Sequence, residues 1–184
     1  MENESYKAIY WEAAEGITAG YEGGKYFGPK QTTLRSEFAT FIYRVAGKPD
    51  VSGKMPFPDV KNASTSAIYK GILWCSQKGI VKGYNEKGKT IYKPSNTITR
   101  QEAMIMVYRY ARDIMKLDVS ISGTTLPYSD VTGVKNTSDI FKALMWGYEK
   151  GIDTGVAPNK YDPSTGCTRE TLAIMLYRMI QLGK

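Results

Sequence analysis

Three arginines stand at equivalent positions of the chain, and their side chains could bind a carboxylate. Arg35, Arg100 and Arg169 each follow a proline by six residues. We expect each of them in the first turn of a helix, where the fork of guanidinium donors adds to the positive end of the helix dipole. That combination suits an anionic ligand. The structural alternative is that these arginines form salt bridges or cap carbonyl groups between neighbouring segments.

The composition argues against several other kinds of chemistry. The 184 residues include no histidine, which removes the usual general base, metal ligand and pH switch. The two cysteines, Cys75 and Cys167, are too few and too far apart for a zinc site. We favour two separate packed thiols, with a disulfide as the alternative if the fold brings them together. No pair of acids recurs as a catalytic pair would, so we predict no enzyme, no cofactor and no metal.

The formal net charge of +7 favours anionic partners. The positive residues are not gathered into one run, so a generally soluble, mildly basic surface is the alternative. No motif that reads nucleic acid accompanies the charge, and we predict no nucleic-acid partner. No stretch approaches the roughly 18 apolar residues of a membrane span, and residues 1–10 lack the apolar core of a secretory signal. If the natural protein is exported, we expect this chain to be a mature or excised fragment.

The arginines belong to a repeat that occurs three times. In order, each copy has a tryptophan, a Gly-Ile pair, a second glycine, an aromatic-x-Pro segment, the arginine and a Tyr-Arg pair. Copies one, two and three span residues 1–46, 57–111 and 128–184. The tryptophans and the second glycines are Trp11, Trp74, Trp146, Gly20, Gly83 and Gly155.

Copies two and three also share an aromatic-x-Asp-Val segment, which contains Asp59 in copy two and Asp130 in copy three. In copy one this segment would fall before Met1. We therefore expect that the chain begins inside a repeat, through an engineered or processed start.

Each copy predicts two helices separated by a loop. The first helix contains the tryptophan and ends at a glycine C-cap, as in YKGILWCSQKGI. The second begins with a capping box in TRQE, where Thr99 and Glu102 satisfy each other's backbone donors. Copy one has Leu34 at the cap position, so we expect Thr33 to cap that helix or its end to fray. Copy three keeps Thr168 at the cap position but has Thr171 in place of the glutamate.

Helices of about 12 residues are marginal alone, so three helical hairpins must pack their apolar faces together. The sequence predicts an all-α fold in which three helix-loop-helix repeats have approximate threefold symmetry. Residues 83–94, rich in glycine, asparagine and lysine, are expected to form a loop.

The repeated motifs resemble those of the S-layer homology family. Copy two supplies FPDV, GIVKG, YKP and TRQE, copy three supplies YSDV, GIDTG, YDP and TRET, and copy one supplies GITAG, FGP and LRSE. The resemblance implies a pseudo-threefold trimer of repeats with grooves between them. It also implies an extracellular, non-catalytic module that binds an anionic secondary cell-wall polysaccharide, often through a pyruvylated amino sugar. A surface adhesin or protein-interaction domain that uses the repeats as a scaffold, with other surface proteins as partners, is the alternative.

The resemblance also assigns roles to residues. The three arginines would meet the acidic group, and Asp59 and Asp130 would accept hydrogen bonds from sugar hydroxyls or from nearby backbone, or only cap turns. The second glycines would let the backbone approach the sugar. Aromatic side chains could stack on a sugar ring, although core packing is the alternative for the three tryptophans. We rank the copy-two residues as the best site, then copy three, then copy one.

Overall fold

The computed structural model describes residues 3–184, so the first two residues of copy one lie outside the described part. Within it the chain is rich in helix, with two α-helices in each copy. The helices are α1 Glu4–Ala14, α2 Arg35–Val45, α3 Ala67–Gln77, α4 Arg100–Asp113, α5 Asp139–Glu149 and α6 Arg169–Gln181. A 3₁₀ turn, Glu22–Gly24, and a hairpin of β1 Tyr84–Glu86 and β2 Lys89–Ile91 complete the regular elements.

The first helices end as the sequence predicts. Gly16, Gly79 and Gly151 each follow the C-cap residue of these helices, with φ of 63°, 71° and 66°, the left-handed conformation that glycine adopts most readily at a helix C-terminus. Their starts are capped by Asn3, Ser66 and Ser138, whose side chains each accept a backbone N–H of the first turn.

The second helices begin at the three arginines, and two of their caps match expectation. Thr99 and Glu102 form the capping box of α4, and Thr168 accepts the N–H of Thr171 at 3.3 Å. The expectation that Thr33 caps α2 was wrong. Instead Glu37 Oε2 accepts the Leu34 N–H at 2.8 Å.

The expected hairpins also need a correction, because the principal helix contacts join different copies. Helix α2 packs against α3, α4 against α5, and α6 against α1. The tyrosine of each Tyr-Arg pair packs on the tryptophan of the next copy, with ring centroids about 6 Å apart. These contacts are Tyr43–Trp74, Tyr108–Trp146 and Tyr177–Trp11. Each helix thus buries its apolar face against a neighbouring copy, since the long segments between helices carry the chain across.

Three backbone hydrogen bonds join the copies in a closed cycle. Thr33 N–H donates to Cys167 O at 3.0 Å, Cys167 N–H donates to Ile98 O at 2.9 Å, and Ile98 N–H donates to Thr33 O at 2.9 Å. Each of these residues stands two positions before an arginine. The cycle fixes the starts of α2, α4 and α6 relative to one another.

The segment expected to be a loop in copy two contains a β-hairpin. Tyr84 pairs with Ile91 and Glu86 with Lys89, and Lys87 and Gly88 turn the chain with φ of 50° and 76°. A two-residue turn with both φ positive matches the twist of antiparallel strands. The all-α description therefore holds for the helices, with this small sheet added.

The core contains both cysteines as free, buried thiols, as the sequence favours. No helix within residues 3–184 is long and apolar enough to cross a membrane.

Candidate functional site

Each predicted arginine reaches into the copy that follows it, with copy three followed by copy one. Arg35 Nε donates to Tyr92 O at 3.0 Å, and Arg169 Nε donates to Phe27 O at 2.8 Å. The Arg100 guanidinium lies 5.8 Å from the centre of the Tyr161 ring. We define the groove of a copy as the space between its Gly-Ile-x-x-Gly turn, its aromatic-x-Pro segment and this incoming arginine.

Backbone donors at the starts of the second helices already have partners. Arg35 N–H donates to Asn96 O at 2.9 Å and Ser36 N–H to Pro94 O at 3.2 Å, and both acceptors belong to the next copy. Arg100 and Arg169 make the equivalent backbone bonds to Thr165 O and Gln31 O. A helix N-terminus attracts anions through free N–H groups. Here those groups hold the copies together, so any anion must be held by side chains.

The incoming arginines have different partners in the three grooves. Arg35 forms a salt bridge of 3.0 Å with Glu102. Arg100 forms one of 2.7 Å with Asp153, which is only 5% exposed. Arg169 instead donates to the neutral Thr18 hydroxyl at 2.6 Å.

The residue that follows each Gly-Ile pair partly determines which partner the incoming arginine has. It is threonine in copy one, valine in copy two and aspartate in copy three, at positions 18, 81 and 153. Sequence reasoning missed this position because it is not conserved among the copies. The signal that could have found it was a change from neutral to acidic side chain within an otherwise regular turn.

The two predicted aspartates bind backbone. Asp59 accepts the N–H groups of Tyr92 and Lys93 at 2.9 and 2.7 Å. Asp130 accepts those of Tyr161 and Asp162 at 2.9 and 2.8 Å, and these bonds lower the pKa of its carboxyl group. Of the roles left open by the sequence, this geometry favours the backbone one, which holds the aromatic-x-Pro segment in place.

The second glycines approach the chain itself. A Cβ on Gly20 or Gly155 would meet the carbonyl oxygen of Tyr26 or Lys160 closer than real Cβ atoms come, and one on Gly83 would lie 2.6 Å from Ile91 O. The groove wall therefore needs glycine for internal packing, before any ligand is considered.

The tryptophans differ in exposure. Trp74 and Trp146 are buried in the core at 4% and 0% exposure, which favours core packing for both. Trp11 is half-buried and lines a cavity together with Arg44 and Lys48.

The arginines of the Tyr-Arg pairs form a second set, which the sequence did not single out as binding residues. Arg109 donates to Ile80 O at 3.1 Å and, with Arg35, lines a cavity of about 250 Å³ in the copy-two groove. Arg44 and Arg178 donate in the same way to Ile17 O and Ile152 O. Each groove therefore has two arginines. One is the incoming arginine, and the other, which we call the resident arginine, belongs to the same copy as the Gly-Ile-x-x-Gly turn and donates to it.

Acidic side chains pair with two of this second set. Arg109 bonds to Asp139 at 2.9 Å, and Arg178 to Glu4 at 2.5 Å. Within residues 3–184 no cluster of three or more histidine, cysteine, aspartate or glutamate side chains could hold a metal ion.

Comparison with known proteins finds similar sequences and a family for this chain. Two similar proteins are the "Middle cell wall protein" of Brevibacillus brevis, 33% identical over 113 residues, and the "Surface layer protein" of Brevibacillus choshinensis, 35% identical over 113 residues. Each match covers 59% of this chain but only 10% of the relative. The model of the S-layer homology domain matches residues 2–39, 56–104 and 127–173. These three matches cover most of the chain, and the protein belongs to the S-layer homology domain family.

Proposed function

We propose that this chain is a non-catalytic module that anchors a protein to the bacterial cell wall. Its ligand is an anionic, pyruvylated secondary cell-wall polysaccharide, bound in the grooves between copies on the outside of the cell. Family membership supports an anchoring role, and one of the similar proteins is named for the cell wall and the other for the surface layer.

The observation that carries the proposal is the repeated position of the arginines. In each groove a guanidinium group from the preceding copy lies beside at least one aromatic ring, such as Tyr84 and Tyr92 at 4.7 and 4.8 Å from Arg35 and Tyr161 at 5.8 Å from Arg100. Guanidinium groups bind carboxylates through paired, charge-assisted hydrogen bonds. Aromatic side chains beside them suit the apolar face of a sugar ring.

The proposal includes a pseudo-threefold arrangement of the three copies. The closed cycle of hydrogen bonds through Thr33, Ile98 and Cys167 supports it, as do the three equivalent pairings of helices between successive copies. In such an arrangement the polymer can reach a groove at each junction between copies.

Co-sedimentation with purified bacterial cell walls tests the function. A variant with Arg35, Arg100 and Arg169 all replaced by glutamine should lose at least about tenfold in wall affinity, because charge-assisted hydrogen bonds contribute about 1.5–3 kcal/mol each. The matched control replaces three exposed lysines, Lys54, Lys61 and Lys142, by glutamine. It removes the same charge and should bind nearly as the parent does.

Thermal unfolding must show that the arginine variant is still folded, since these side chains also hold copies together. Walls stripped of the acidic substituent should bind the parent protein as weakly as the folded arginine variant binds native walls. Undiminished sedimentation of the folded arginine variant would contradict the proposed function.

A further inference from the structure

The three grooves differ in how far their two arginines are neutralised. In copy two the incoming Arg35 is paired with Glu102 and the resident Arg109 with Asp139. Copy three follows the same rule with other acids, in the pairs Arg100–Asp153 and Arg178–Glu4. In both grooves each of the two arginines has an acidic partner within salt-bridge distance, although in copy two Asp139 is shared with Lys82 and Arg112.

Copy one breaks this rule at both positions. The incoming Arg169 donates to Thr18 and to Phe27 O, and the resident Arg44 donates to Ile17 O. Neither arginine forms a salt bridge with any acid in residues 3–184. Because Ile17 and Thr18 are adjacent, the two guanidinium groups flank the same turn.

The missing acids can be traced to single residues. The first residue of α5 is Asp139 and that of α1 is Glu4, but the first residue of α3 is Ala67. The position that Asp153 occupies in copy three is occupied by Thr18 in copy one. Glu37, the counterpart of Glu102, accepts the Leu34 N–H and forms no salt bridge with Arg169 in the described part of the chain.

One further carboxyl group acts on Arg169 from a distance. Glu12 is 1% exposed, and neither of its oxygens has a hydrogen-bond partner among residues 3–184. Burial raises the pKa of Glu12 to about 8, against the attraction of Arg169. At neutral pH Glu12 is therefore mostly protonated, and the positive charge of Arg169 is not cancelled.

We infer that the groove of copy one is the principal anion site, in which Arg44 and Arg169 hold one carboxylate-bearing sugar of the wall polymer between them. The inference rests on the proposed function and reverses the sequence-based ranking, which put copy two first. Arg44 lines a cavity together with Trp11, and Arg169, which bonds to the same turn, is 4% exposed, similar to the 6% of Arg35 in copy two.

The physical reason is competition for the guanidinium groups. A carboxylate that enters the copy-three groove must displace Asp153, whose buried charge would then lose its ion-pair partner and keep only the Gly155 N–H, at a large cost. In copy one it displaces no acid, and the Nη1 atom of Arg169 donates no hydrogen bond within residues 3–184. A ligand carboxylate would supply the missing counter-charge for two partly or fully desolvated arginines.

The test introduces the acids that the other copies already contain. Thr18→Asp reproduces the Asp153 pairing for Arg169, and Ala67→Asp reproduces the Asp139 pairing for Arg44 at an exposed helix start. The probe is a pyruvylated N-acetylhexosamine glycoside, with the same glycoside lacking pyruvate as the neutral probe, measured by isothermal titration calorimetry. Each variant should lose at least about tenfold in affinity for the acidic probe, as expected when a charge-assisted contact is removed.

Two further variants sharpen the result. Asn136→Asp adds the same charge at an exposed site before α5 and should bind the acidic probe as the parent does. The double variant Glu4→Ala, Asp153→Thr gives copy three the copy-one pattern and should add a second binding site. Thermal unfolding checks that each variant remains folded.

The outcomes separate the two proposals. If the parent binds the acidic probe but Thr18→Asp and Ala67→Asp bind it equally well, the copy-one groove is not the principal site and only this inference fails. If the parent binds neither probe nor cell walls, the proposed function fails and this inference with it.

Discussion

Glu12 occupies a position in the first helix where copies two and three have Cys75 and Gly147. These smaller, uncharged residues fit the tight contact between helices of neighbouring copies, whereas Glu12 brings a carboxyl group into it. The carboxyl group has no hydrogen-bond partner in the described part of the chain, and burial raises its pKa to about 8. A single residue thus makes the contact between α1 and α6 sensitive to pH.

Replacing Glu12 with glutamine should remove this sensitivity. Because the folded state holds the proton more tightly than the unfolded state, the stability of the parent should fall as the pH rises from near 4.5 to about 8 and then level off. The loss should be at most about 5 kcal/mol, at 1.36 kcal/mol for each unit of pKa shift. Urea unfolding of both proteins at about pH 5 and about pH 9 measures the difference.

The exposed Glu15 provides the matched control, since Glu15→Gln also removes one carboxyl group from the end of the same helix. It should leave the pH dependence of the parent intact. A Glu12→Gln variant whose stability still falls over this pH range would contradict the assignment to Glu12.

At the scale of the element, contacts within the chain hold the wall of each groove in place. In copy two, Asp59 holds two backbone N–H groups of the aromatic-x-Pro segment, and Gly83 brings the Gly-Ile-x-x-Gly turn against Ile91 O. The hairpin between them presents Tyr84 to the guanidinium group of Arg35. The proposed ligand surface therefore depends on local packing that can be tested without a ligand.

Two glycines of the same turn separate backbone strain from close contact. Gly79 and Gly83 have similar φ of 71° and 68°, but a Cβ on Gly79 would meet nothing within 4 Å. Gly79→Ala should cost about 1 kcal/mol for the left-handed backbone alone. Gly83→Ala should cost about 2–4 kcal/mol, because the clash with Ile91 O adds to the same strain. Equal losses in urea unfolding would contradict the close packing of the groove wall.

At the scale of the whole molecule, stability depends on closing the cycle of copies. Helix α1 packs on α6 and α4 on α5, so the first and last copies stabilise each other although they are distant in sequence. No copy buries the apolar faces of its helices alone, and we expect the chain to unfold as one cooperative unit.

Truncation tests this dependence. A chain of residues 1–125 retains α1 to α4 but lacks the partners of α1 and α4. Helices of 11–14 residues are marginal in water without tertiary packing, so the truncated chain should lose most of its helical circular dichroism and its cooperative thermal transition. The full chain is the control, and a sharp transition in the truncated chain would contradict a mutually dependent fold.

The sequence by itself determined the repeat, the two helices of each copy and most of their ends. Those features depend on local signals, such as the left-handed glycines after the first helices and the capping box of Thr99 and Glu102. The prediction of a loop over residues 83–94 was incomplete, because the same turn-forming residues also suit the turn and the ends of a short β-hairpin. Thr33 does not cap α2: its backbone takes part in the cycle that joins the copies, and Glu37 accepts the Leu34 N–H instead.

Only the tertiary structure decided which acid, if any, faces each arginine. Arg169 and Thr18 are 151 positions apart, and Arg100 and Asp153 are 53 apart. Their contact depends on each arginine crossing into the next copy, which no pattern within a single repeat expresses. The sequence therefore identified three equivalent arginines, whereas the fold made their surroundings unequal, because the charge of a binding groove is a sum over side chains that meet only after folding.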